Sequence, residues 1–249
     1  MNLYESAALR TITGPAIRPG GLALTERAMA FCKLPRGAMV LDVGCGSGAT
    51  TVYLRRSHGL PAVGLDISRM LLEEAHETGL PAFIQGRAEA LPIGDARLAA
   101  IFCECTFSLL PDPESALAEW RRVLAPGGYL ILSDLYARSG RLQPTAQLDG
   151  VHCCLDGAVG CKTLFDRMAA AGFKVLLFED HTPLLKRLAA QLVWEHGSIE
   201  AFWTHVGGAC AADREKFTGR PGYYLMVARK SQPAEPAGEA EQEKLNGKS

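Results

Sequence analysis

The stretch VLDVGCGSGATT, residues 40–51, sets Gly44, Gly46 and Gly48 between a run that reads as a strand and the start of a helix. Without a Cβ, glycine lets the chain turn sharply and lets a ligand lie against bare backbone. Asp42 stands two residues before the first of these glycines, and Asp66 closes the next apolar run, VGLDIS, eighteen residues after Gly48. A dinucleotide would want GxGxxG, and the spacing here is GxGxG. Asp42 would also oppose a pyrophosphate at the helix N-terminus. A carboxylate there suits an ammonium group instead, and an acid at the end of the second strand can accept from both hydroxyls of a ribose. The pattern asks for one ligand with a cationic amino-acid end and a ribose.

S-adenosylmethionine (SAM) has both. The second set of reactive residues is sulfur. Three of the chain's eight cysteines fall in HCCLDGAVGC (152–161), Cys103 and Cys105 lie at the end of a predicted fourth strand, and Cys210 sits in GGAC. A structural zinc site wants paired CxxC knuckles, whereas this chain offers CxC, CC and isolated residues, so no metal is expected. Cys32 continues an apolar helix face and Cys45 occupies a loop position; both read as inert small hydrophobes. The remaining cysteines are either buried thiols or substrate ligands.

These residues need a frame. Nearly continuous apolar runs near 38–43, 61–66, 81–86, 98–103 and 129–134 alternate with helical patterns, as expected for parallel strands covered on both faces. Ser68 is a predicted N-cap with Gly79 as the stop; Asp112 caps the next helix, with Pro113 at its first position. A helix over 162–172 ending at Gly172, a strand over 173–180, helices over 184–196 and 199–206 and a last strand over 223–230 complete the order. Arg18 precedes a helix start and reads as a loop arginine able to close over a ligand. Glu104 and Asp134 are strand-end acids expected to face the pocket, and His152 reads as a surface histidine.

Bulk properties narrow the function. The 249 residues carry 26 basic and 27 acidic side chains, a net charge of −1, which offers no field for nucleic acid or anionic lipid. The first residues lack a secretion-signal core and no stretch reaches the length of a membrane span. A cytoplasmic location with reduced thiols is expected. The predicted organisation is an N-terminal cap segment over 1–36, a domain over 37–230 whose residues 135–222 cover the substrate, and a Pro/Glu/Gly-rich disordered tail over 231–249.

From about Gly37 to Asp134 the chain resembles class I SAM-dependent methyltransferases of the type 11-like group. LDVGCGSG looks like the family's first motif, GLDIS its second and GRAEALPIGD its third; CECTFSLLPD and EWRRVLAPGGYLILSD resemble the fourth strand end and the turn that follows. The resemblance implies a Rossmann-like α/β fold: a mostly parallel seven-stranded sheet, its last strand antiparallel, with helices on both faces. It implies a SAM site made of Asp42, Gly44, Cys45, Gly46, Gly48, Asp66, Ile67, Ala88, Glu89 and Glu104. Two positions depart from the pattern. Arg87 replaces the usual Asp and cannot accept a hydrogen bond from the adenine amino group, leaving that to the Ala88 backbone or Glu89. Ala99 replaces an Asp expected after LPIGD.

The segment after the fifth strand is similar to arsenite methyltransferases. By that resemblance Cys154, Cys210 and Cys105 would bind or activate the substrate, soft thiolates being the ligands a thiophilic ion selects. Thr51 stands where those enzymes keep an upstream cysteine, and Asp156 where they prefer a small residue. The expected activity is SAM-dependent methylation of a small molecule, with thiol-bound arsenite or an organic metabolite (a thiol, quinone or tetrapyrrole) as acceptor. A non-catalytic sensor of SAM and a thiophilic ion is the rival from another class. A nucleic-acid methyltransferase is disfavoured by the charge and by ECTF at 104–107, where an Asn-Pro-Pro-aromatic motif would stand. The oligomeric state is left open.

Overall fold

In the computed structural model, which describes residues 3–80, 82–139, 154, 155, 157–205 and 219–231, Val40–Val43 (β1) is buried at every position because it lies mid-sheet. Ala62–Asp66 (β2) and Phe83–Gln85 (β3) extend the sheet on one side. Leu98–Glu104 (β4), Leu124–Ser139 (β5), Phe173–Asp180 (β6) and Arg220–Lys230 (β7) extend it on the other. The order is β3-β2-β1-β4-β5-β7-β6. β1 to β5 run parallel, and β7 inserts antiparallel between β5 and β6. This is the expected Rossmann-like sheet.

Helices cover both faces. On one, Pro113–Val123 (α5) and Cys161–Ala170 (α6) bury Leu117, Trp120, Leu164 and Met168 against Ile101, Leu130 and Tyr224. On the other, Ala23–Cys32 (α2) and Ala49–His58 (α3) bury Leu24, Ala28 and Leu54 against Val40, Phe102 and Ile131. Arg69–His76 (α4) packs Leu72 and Ala75 on Phe83. A smaller cluster joins Leu3, and Leu9 of Ala7–Thr13 (α1), to Leu192 of Thr182–His196 (α7) and Phe202 of Ile199–His205 (α8).

The caps are where the sequence puts them. Ser68 Oγ accepts from the Leu71 N–H at 3.2 Å, and Asp112 Oδ1 from the Ser115 N–H at 3.0 Å. Boundaries move where tertiary pairing outweighs local signals. β5 begins at Leu124 rather than 129: Leu124 pairs with Leu98, and a register shift absorbs the Pro-Gly-Gly sequence. α4 stops at His76, three residues short of Gly79, and β7 starts three residues earlier than read. Cys153, Cys210, His152, Asp156 and the tail beyond Ser231 lie outside the described residues.

Candidate functional site

β1 is flanked by β2 and β4, and the chain crosses from one side of the sheet to the other between β3 and β4. Neighbouring crossovers that diverge leave a crevice at the carboxyl ends of the strands. A cavity of about 470 Å³ occupies that place. Its floor is Asp42–Gly46 with Ala49 and Thr50; Asp66 and Ile67 form one wall, Gly86–Glu89 another, and Glu104–Thr106 a third. Tyr4 and residues 15–18 roof it. Nine of the ten residues expected at the cofactor line it, Gly48 being the exception.

The glycines work in different ways. Gly44 has φ +72° and lies against Thr106, whose Oγ1 would sit 2.1 Å from a Cβ, so only glycine fits. Gly48 caps α3 at φ +85° and packs under Phe83 rather than facing the cavity. Its part is to close the turn. α3 then starts with no side-chain cap, so the amides of its first turn are left to water or a ligand.

The acids differ in how firmly they are held. Asp66 accepts from the Gly46 N–H through Oδ2 and the Ser68 N–H through Oδ1, both at 2.8 Å. Burial pushes its carboxyl up, and those amides oppose the shift. Asp42 is 2% exposed and accepts from Thr51 Oγ1 at 2.7 Å. Burial and then the nearby Glu104 carboxylate push it up to about 7, against the pull of Thr51 and Arg18. A cation placed beside Asp42 would reverse that shift. Glu89 Oε1 is buried at the cavity wall with no hydrogen-bond partner in the protein, an acceptor left for a ligand donor. The Ala88 carbonyl accepts from Trp120 Nε1 at 3.0 Å, so of the two groups expected at the adenine the Glu89 carboxylate is the one with an unsatisfied oxygen.

Packing corrects the expectations for Asp134 and Arg18 and gives Glu104, which does line the cavity, partners of its own. Asp134 does not face the cavity: it is fully buried and accepts from Ser108 N–H, Ser108 Oγ and Leu135 N–H, which fixes the Phe107–Leu109 turn. Burial pushes its carboxyl up to about 6 against those bonds. Glu104 lines the cavity, but its carboxylate is engaged with Arg18 at 2.9 Å and with Thr25 Oγ1 and Thr50 Oγ1, each at 2.9 Å. Arg18 is no free loop arginine. It is 9% exposed, and the short polar side chains of α2 and α3 draw it inside.

Among the cysteines, Cys105 lines the cavity at φ +54° and its Sγ lies 3.2 Å from Tyr223 Oη. Burial holds its thiol well above the ordinary value, and the charges of Asp134 and Cys154 add to the effect. Cys154 is half-buried near it and donates its backbone N–H to Tyr4 Oη at 3.2 Å, outside the cavity wall. Cys103 is fully buried and Cys32 is pushed up to about 12 by burial. Among the described residues no cluster of three or more His, Cys, Asp or Glu could hold a metal ion. Sequence reasoning sets a cap over 1–36 but singles out only Arg18 within it; Tyr4 and Pro15–Ile17, which carry no motif, are the residues it misses.

Residues 41–132 match the family described as methyltransferase domain. O-methyltransferase resE of Aspergillus sclerotiorum is 29% identical over 169 residues, 63% of this chain and 62% of that protein. Methyltransferase GfsG of Streptomyces halstedii is 31% identical, covering 47% of this chain and 45% of that protein. The chain thus spans less than two thirds of these relatives. The solved [4+2]-cyclase SpnF is 26% identical, with a TM-score of 0.67 over 84% of this chain and 81% of that one. The fold alone is shared with phosphoethanolamine N-methyltransferase 2 of Haemonchus contortus, at a TM-score of 0.69 and 18% identity over 90% of this chain and 57% of that one.

Proposed function

From a chain that carries a class I SAM-dependent methyltransferase domain over residues 41–132, we propose an enzyme that binds SAM in the cavity at the β1–β4 switch point and methylates a small organic acceptor. The observation that carries the reading is the set of acids around that cavity: Asp42 beside the glycine loop, Asp66 on the wall and Glu89 with an unpaired buried oxygen. Asp42 would meet the ammonium end, Asp66 the ribose and Glu89 the adenine amino group, with Ile67 covering the base. Bound SAM supplies a methyl group on a sulfonium.

The chain's own part is placement. The described wall contains no His or Lys to serve as a general base near neutrality. An acceptor that arrives as an anion or ionises easily would need only to be held in line and away from water. An oxygen acceptor agrees with relatives named as O-methyltransferases. Tyr4 and Cys105, at the N-terminal roof and the β4 end, would border the acceptor. A cytoplasmic enzyme is proposed on the same footing.

A second reading, thiol-bound arsenite as acceptor, is favoured by one observation: Cys154 lies near enough to Cys105 to add to the upward push on its thiol. The likeness to a cyclase makes methyl transfer itself the thing to measure. Purified protein with methyl-labelled SAM should bind the label with 1:1 stoichiometry and pass it to members of a phenol, carboxylate, thiol and quinone panel. Methylated arsenic formed from arsenite and glutathione, with no organic product, would move the conclusion to the second reading. Binding of SAM with no transfer at all would leave the non-catalytic sensor, and failure to bind would end the proposal.

A further inference from the structure

Arg18 has more partners than a fastening needs. Its Nε donates to the Gly21 carbonyl at 2.8 Å, Nη1 to Thr50 Oγ1 at 2.9 Å and Nη2 to Thr25 Oγ1 at 2.7 Å, while Nη2 also pairs with Glu104 Oε2 at 2.9 Å. Each threonine hydroxyl passes its own hydrogen to Glu104. Arginine, two threonines and glutamate therefore close a ring that joins the N-terminal segment, α2, α3 and the end of β4. Every member is buried. Arg18, Thr50 and Glu104 all border the cavity, and Pro15, Ala16 and Ile17 roof it just before the ring. A second tie lies beside it: Ser47 Oγ donates to the Pro15 carbonyl at 3.2 Å.

We propose that Arg18 is a positioning residue for the cofactor: by pairing with Glu104 it leaves Asp42, rather than Glu104, as the carboxylate free to meet the cationic end, and it fastens residues 15–18 across the glycine loop. The inference rests on the SAM reading above and adds the electrostatic design of that site. The Glu104 carboxylate raises the cost of ionising the buried Asp42, and the Arg18 guanidinium offsets it. Arg18, locked by a planar fork to one of them, settles which acid is spoken for. Lysine, a single point charge, would not span both threonines and the carboxylate.

Among the described residues, the groups facing Asp42 come from four elements. From β4 come Glu104 and the Cys103 thiol; from the glycine loop the Cys45 thiol; from α3 the Thr51 hydroxyl; from the N-terminal segment Arg18. Glu104 and Arg18 are the charged pair among them and act in opposite senses. Removing each should therefore move Asp42 in opposite directions, a signature that a purely mechanical pin lacks.

The test is calorimetric titration of the full chain with SAM from pH 5.5 to 8.5. Wild type should bind with an affinity that weakens below a midpoint near that of Asp42. Arg18→Met should raise the midpoint by about one pH unit, because Glu104 is left unbalanced. Glu104→Gln should lower it by a similar amount, and the double variant should return close to wild type. Equal or same-direction shifts in the two single variants, or no shift, would overturn the proposal. If Arg18→Met does not fold, Glu104→Gln decides alone: a downward shift supports the inference, and an upward or absent one removes it. A wild type that takes up no SAM at any pH would instead condemn the cofactor assignment on which the inference stands.

Discussion

At the residue scale, the site is governed by how burial treats charge. Asp42 is nearly sealed from water, and its carboxyl stands at about 7 until a cation arrives. Binding a cation there must expel a proton whenever the pH lies below that value, so the dissociation constant for SAM should rise as pH falls, approaching tenfold per unit well below 7. Asp42→Asn removes the charge outright; SAM affinity should fall by about ten- to a hundredfold, with the pH dependence flattened, as read by calorimetry. Gly44 is the other residue whose identity is forced. Gly44→Ala places a Cβ against Thr106 at positive φ and should cost about 2–4 kcal/mol, seen as a drop of several degrees in Tm.

At the element scale, short connections between buried strands carry the chemistry, and helices behind them hold those connections still. Trp120 of α5 shows how. It is fully buried, tilts against Phe107 at a centroid distance of 5.9 Å and donates Nε1 to the Ala88 carbonyl in the loop that carries Glu89. Trp120→Phe keeps most of the packing but drops that bond. It should cost about 1 kcal/mol in stability and weaken SAM binding severalfold, while Trp120→Ala should cost about 3–5 kcal/mol. Equal SAM affinity in Trp120→Phe and wild type would mean that the loop needs no support from α5. These elements were largely legible: each strand announced itself as an apolar run, and Ser68 and Asp112 capped as their types require. The extents were not. The first five residues of β5 look like a turn in sequence and become strand because Leu98 offers Leu124 a partner.

At the scale of the whole molecule, the buried acids tie stability to pH. Asp42 at about 7 and Asp134 at about 6 both hold protons in the folded state that the unfolded chain, with its ordinary value of 3.8, would release. Their contribution is therefore fully present below pH 4 and is lost as pH rises through 6 and 7. Glu119 and Glu179 are shifted the other way by Arg122 and Arg27, but both are half-buried pairs at the surface, where salt screens them. The Tm of the ligand-free protein should fall between pH 5.5 and 7.5. A hundredfold excess of SAM over its dissociation constant should add about 2.7 kcal/mol, and its effect on Tm should be larger at pH 7.5 than at 5.5. A Tm that rises over that interval would show that Asp42 and Asp134 ionise normally in the folded chain.

The order of apolar runs and the chemistry of single positions were settled by the amino-acid sequence: a mostly parallel α/β sheet, a glycine turn, and two acids at strand ends flanking it. Those follow from local physics, since burial on two faces demands continuous apolar strands and a close-approaching backbone demands glycine. Which buried polar groups meet was decided in three dimensions. Arg18 and Glu104 are far apart in sequence, as are Asp134 and Ser108, and neither pairing has a periodicity to betray it. In tertiary structure one acid is matched to an arginine, another to a turn, and a third, Asp42, to a threonine hydroxyl with no ion-pair partner among the described residues, because only packing determines which charges lose their water and what replaces it.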